Sequence, residues 1–154
     1  MRALVAAAGL LLAPTIWAQA LLDDYARVAA LVSYMTTYVG ETFIACAAAK
    51  ALTEKNAEAR FASYRERNAA LLERADAWSR EAERRLRAGG EGNAARLRSE
   101  DASLTAMAAA SGHVQGELGQ ARDVPEFCRA RIAAIESGRL DMSGNAELQQ
   151  LLAK

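Results

Sequence analysis

From Leu21 onward, apolar side chains recur in alternating steps of three and four residues, and the pattern persists through most of the chain. Such spacing gathers each set on one face of an α-helix, so it restricts the chain to folds that bury helical stripes. The first stripe runs Leu21, Tyr25, Val28, Val32, Met35 and Val39, then continues through Thr42 to Cys46. Thr53 is placed to cap a second helix, with Glu54 and Glu58 near its positive end. That helix carries Ala57, Phe61, Tyr64, Asn68, Leu71 and Ala75, followed by Trp78, Ala82 and Leu86. The run Gly89-Gly90-Glu91-Gly92-Asn93 stops it in a turn.

A third helix is expected to turn Leu97, Leu104, Met107, Ser111, Val114 and Leu118 inward and to end near Gly119. Asp123 and Glu126 form a capping-box-like pair around Val124-Pro125. They open a shorter helix with Val124, Cys128, Ile132 and Ile135 on one face, closed by Gly138. A last segment, Asn145 to Ala153, presents Leu148, Leu151 and Leu152. Short connections between these stripes predict an all-α antiparallel bundle of about four helices plus a short C-terminal helix. The composition agrees. Hydrophobic residues make up 52% but aromatics only 6%, and only two prolines interrupt the chain. An all-β fold lacks its residues here, and high apolar content without net charge excludes disorder.

The first twenty residues read as a secretory signal peptide. Met1-Arg2 is a short positive end, Ala3 to Trp17 is uncharged, and Ala18-Gln19-Ala20 supplies small residues for cleavage. The apolar run is broken by Gly9 and Pro14 and falls short of the roughly 20 residues needed to span a bilayer. The expected mature chain is therefore a single domain, residues 21–154, with no integral membrane span. A membrane reading of Val28 to Ala49 is opposed by Glu41 near its middle. All the basic side chains except Lys50, Lys55 and Lys154 are arginine, and alanine abounds. Such usage fits a GC-rich bacterial genome and a periplasmic or secreted destination.

Two cysteines, Cys46 and Cys128, allow one disulfide in an oxidising compartment. Both fall on the apolar faces of their helices, where a bundle brings helices together. With 19 basic and 19 acidic residues, no basic excess is present for binding nucleic acid.

Three features carry a functional reading, each beside a plainer one. A second stripe on the first helix, Leu31, Tyr34, Tyr38 and Glu41, forms an aromatic wing with one carboxylate. It suits a partner helix or a small ligand, though burial on two sides of a bundle explains it as well. The arginines around the glycine turn, from Arg80 to Arg98, give a local positive excess facing outward. The pairs Asp76–Arg80, Glu81–Arg85 and Glu83–Arg87 at i,i+4 make this a solvated helix end first of all. The lone histidine, His113, has no second ligand at a metal spacing, and it falls off the apolar face of its helix. Its neighbours Gly112 and Gly116 are read as permitting close helix approach. No nucleophile elbow, metal motif or phosphate loop occurs, so no catalytic residue, metal or cofactor is assigned.

The expected function is thus that of an exported, disulfide-stapled bundle acting as an interaction or accessory factor for another protein of the cell envelope. Its candidate surface is Leu31, Tyr34, Tyr38 and Glu41 together with Leu148, Leu151 and Leu152. The alternative is a small-molecule-binding or catalytic bundle, with a polar pocket lined by Tyr34, Tyr38, Glu41, Asn68 and arginines. Convergent polar groups in a cavity would favour the second; a close-packed interior with an exposed apolar groove would favour the first.

Overall fold

The computed structural model describes residues 6–154, with side-chain surroundings from residue 17. Residues 1–5 of the expected leader lie outside the described residues. The elements are α1 (Ala6–Ala48), α2 (Glu54–Arg67), α3 (Ala69–Ala88), α4 (Gly92–Gln120), α5 (Val124–Glu136), a 3-10 turn (Met142–Gly144) and α6 (Ala146–Leu151). The fold is all-α, stapled by a Cys46–Cys128 disulfide with Cα atoms 5.6 Å apart. The caps form where sequence placed them. Thr53 accepts from the Asn56 amide at 3.3 Å, and Asp123 from the Glu126 amide at 2.8 Å. Gly90 and Gly138 close α3 and α5 at φ of 86° and 78°, a region open to glycine at little cost.

Every other helix packs on α1. The chain runs up, down, up and down. Phe61 of α2 meets α1 at Gly40, while Leu86 of α3 meets Leu22, so α2 and α3 descend together as one arm. The side-chain pairs Asp23–Arg98, Tyr34–His113 and Tyr38–Glu117 keep offsets of 75 to 79 residues, so α4 rises parallel to α1. The last arm starts at the disulfide beside Cys46 and descends past Met35, where the Asn145 amide reaches the sulfur. It ends with Lys154 on Asp24, 2.7 Å away.

Two expectations about the arms need correction. The second stripe is not one helix but two, because Asn68 leaves the helical region at φ −96° and ψ 3°. Its apolar face was read correctly, since Ala57, Tyr64, Leu71, Ala75, Ala82 and Leu86 are all buried. The break exists because the Asn68 side chain is engaged elsewhere. Its Nδ2 donates to the Tyr64 carbonyl at 2.8 Å, and its Oδ1 accepts from the Met142 amide at 2.8 Å. Asn68 thereby joins the second arm to the fourth.

The inward face of α4 also differs. Val114 and Leu118 turn inward as expected, but Leu97, Leu104 and Met107 are exposed, and Ala95 and Ala110 are fully buried in their place. Parallel arms of an up-and-down bundle usually sit diagonally; here α1 and α4 are in direct contact along their length. Close approach requires small side chains at the seam, so alanine wins and the larger residues turn outward. Gly112 and Gly116 do not serve that approach, since a Cβ at either would meet nothing within 4 Å.

Among the described residues, Trp17–Ala48 is one stretch long and apolar enough to cross a membrane, with mean hydropathy 1.2. The other helices pack on this stretch, and 22% of its most apolar window is buried by them. Packing starts abruptly within it: Trp17 is 78% exposed, and Leu22 is 6% exposed against Leu86 and Ala95.

Candidate functional site

The wing of α1 faces a cleft of about 490 Å³ walled by α1, α4, α5 and the segment leading into α6. Tyr34 and Tyr38 sit one helical turn apart, so their rings stack nearly parallel at 9°, with centroids separated by 6.2 Å. The parallel run of α4 sets two of its side chains against these hydroxyls. Tyr34 bonds His113 Nδ1 at 2.5 Å, and Tyr38 donates to Glu117 Oε2 at 2.6 Å. Arg131, carried by α5, pairs with the other oxygen of Glu117, whose side chain is only 19% exposed. His113 Nε2 lies 3.6 Å from that same oxygen. The result is a connected network of two phenols, an imidazole, a carboxylate and a guanidinium. Leu31, Met35, Val39 and Leu140 supply the apolar walls.

Sequence reasoning placed Tyr34, Tyr38 and Leu31 in one surface, and they do line one cleft. It named Glu41 as the carboxylate. Glu41 lies outside the lining, and Glu117 takes that part. Asn68 sits behind the cleft, holding Asp141 of its wall at 3.3 Å. His113, Glu117 and Arg131 escaped assignment because their meeting depends on how α4 and α5 pass α1. The one available signal was the i,i+4 spacing of His113 and Glu117 on one helix face.

The C-terminal leucines belong elsewhere. Leu148 and Leu151 are buried in the main core and Leu152 is half-buried against it, so little of this patch stays open. The Asn145 side chain caps α6 through the Leu148 amide at 2.8 Å, and Arg27 pairs with Glu147 to hold the segment down. A helix this short is stable only when docked, and the bundle itself supplies the dock. At the arginine-rich turn, the three expected i,i+4 pairs form, joined by Arg96–Glu100 and by Arg98 with Asp23 of α1. The turn is a solvated ion-pair network.

Two phenols titrate abnormally. Burial, reinforced by the bond to Glu117, holds Tyr38 well above the ordinary tyrosine range. Burial, with Asp141 nearby, pushes Tyr64 up to about 12. The Tyr64 hydroxyl is buried without a hydrogen-bond partner among the described residues. A phenol raised on folding adds stability that is complete below its unfolded pKa of about 10 and is lost as pH climbs through the folded value. Replacing Tyr64 with phenylalanine removes both that loss and an unpaired polar atom. At pH 7 the variant should match the parent or exceed it by up to about 1 kcal/mol. Its advantage should widen between about pH 10 and 12, as read by urea unfolding at each pH. An advantage that shrinks over that interval would contradict the stated cause.

No family model matches the chain, and no curated protein or solved structure matches it either. Fold and site alone define the class: a disulfide-bonded all-α bundle with a polar-floored cleft beside its central helix.

Proposed function

We propose that this is an exported helical bundle of the bacterial periplasm or exterior, whose working site is the α1–α4–α5 cleft, where it binds a small molecule. Export is supported by the apolar N-terminal helix and by the disulfide, which suits an oxidising compartment. The start of core packing at Leu21 and Leu22, next to the expected cleavage point, adds to this. The observation that carries the ligand reading is the convergence of Tyr34, Tyr38, His113, Glu117 and Arg131 on one largely apolar cleft. Small-molecule sites have this make-up, with apolar walls and a few fixed polar groups.

A second reading, an envelope accessory factor acting through protein contacts, draws on other residues. Leu97, Leu104 and Met107 form an exposed strip on α4. Ile44, 62% exposed, lines a groove of about 410 Å³ together with Phe43 and Phe61. Amide NMR on the exported chain, titrated with benzyl alcohol, benzoate and benzylammonium as probes, separates the readings. Shifts gathered at Tyr34, Tyr38, His113 and Glu117 are expected. Shifts confined to Leu104 and Met107, or to Ile44 and Phe61, would favour the protein-contact reading. Absence of shifts at the cleft with all three probes would overturn the ligand reading. The first residue of the exported chain, read by mass, should be Leu21; a retained Met1 would overturn export by a cleaved leader.

A further inference from the structure

The polar groups of the cleft differ in how much of their bonding capacity the protein already uses. Both wall carboxylates are engaged. Glu117 accepts from Tyr38 and Arg131, and Asp141 accepts from Arg67 at 3.2 Å and from Asn68 at 3.3 Å. The Asn145 carbonyl oxygen is taken by the Leu148 amide, and the Tyr34 hydroxyl by His113. The cations are not all engaged. Arg139 lines the cleft, yet among the described residues it has no carboxylate within ion-pair distance. Its one side-chain bond is Nε to the Ser137 hydroxyl, at 3.3 Å. A guanidinium has five N–H donors and no acceptor, so most of the Arg139 fork is unspent. With Asp141 neutralised by Arg67 from behind, Arg131 and Arg139 face the single charge of Glu117. The cleft therefore holds one uncompensated positive charge and, on Arg139, spare donors. Gly144 leaves that side open, since a Cβ there would meet nothing within 4 Å.

We infer that the cleft takes a small organic anion, its carboxylate or phosphate on the Arg139 guanidinium and its apolar or aromatic body among Leu31, Tyr34, Met35 and Leu140. This rests on the ligand-binding reading above and adds the charge class to it. A planar two-oxygen anion matches the guanidinium fork in geometry as well as in charge. The apolar body displaces water from walls that otherwise remain half wetted.

Three probes of one shape and different charge provide the test: benzoate, benzyl alcohol and benzylammonium, titrated into the exported protein and followed by amide shifts at Tyr34 and His113. Phenyl phosphate, added as a fourth probe, distinguishes a phosphate from a carboxylate as the preferred anion. One of the two anions should bind about tenfold more tightly than benzylammonium, with an affinity that falls as salt is raised. Arg139→Gln should weaken that anion about five- to tenfold and leave benzyl alcohol unchanged. Arg139 is exposed, so the variant keeps the fold, and its helical dichroism verifies this. Arg122→Gln, at an exposed position outside the cleft lining, should change nothing. Equal or tighter binding of benzylammonium, or anion binding insensitive to Arg139→Gln, would overturn the anion assignment while leaving the cleft as a ligand site. Failure of every probe to bind there would overturn both.

Discussion

Replacing Cys46 and Cys128 together by alanine should lower the unfolding free energy by about 4–5 kcal/mol while leaving the helical content near its starting value. The cysteines are 82 residues apart in sequence, so the bond closes a loop spanning more than half of the chain. Opening so long a loop returns entropy to the unfolded state, and the loop-closure relation sets the size of the effect at about 4.5 kcal/mol. In the folded state alanine leaves no unpaired polar group, and the two fully buried sulfur atoms leave a small cavity whose cost adds to the entropic loss. Urea unfolding of parent and variant, monitored by circular dichroism, measures the difference. A loss below about 1 kcal/mol would mean that the unfolded chain is held compact by other means. Collapse of the helical signal before denaturant is added would mean that the fourth arm needs the staple to dock.

Asn68→Ala should cost about 2–3 kcal/mol, although alanine is the better helix former. Propensity alone favours the substitution by several tenths of a kcal/mol at a position between two helices. Against that, the Met142 amide loses its acceptor at 2.8 Å in a place where Met142 is fully buried. A buried donor left unpaired costs about 1–3 kcal/mol. Asp141 also loses a donor and is left to Arg67. Asn68→Asp keeps the acceptor for Met142 but sets a second carboxylate against Asp141, so it should be at least as damaging at neutral pH. Chemical denaturation ranks the three proteins. An Asn68→Ala protein as stable as its parent would show that the join between the second and fourth arms contributes nothing.

How far residues alone reveal this protein follows from the range of the interactions involved. Caps at Thr53 and Asp123, the turn at Gly90 and the stop at Gly138 are local events, decided within a few residues, and all were legible. The disulfide was legible for another reason: two cysteines admit one pairing. The inward face of α4 was legible at Val114 and Leu118 but not at Leu97, Leu104 and Met107, because apolar size is a poor guide where helices touch closely. Ala95 and Ala110 sit against α1, and Leu104 is 67% exposed on the outer side. The cleft was half legible. Tyr34 and Tyr38 are on one helix, and their spacing puts them on one face.

Sequence by itself determined the helical class, the arm boundaries set by caps and glycines, and the pairing of the cysteines. Each depends on backbone hydrogen bonds and dihedral limits within a turn or two, or on simple counting. Tertiary structure decided that α4 runs directly along α1, that Asn68 breaks a helix to hold Met142, and that the C-terminal leucines are core. It also decided that Glu117 rather than Glu41 meets Tyr38. Side chains 79 residues apart come within 2.6 Å only when two helices take one particular offset. That offset is set by the summed fit of many small contacts along both helices, and no single residue or local spacing carries it.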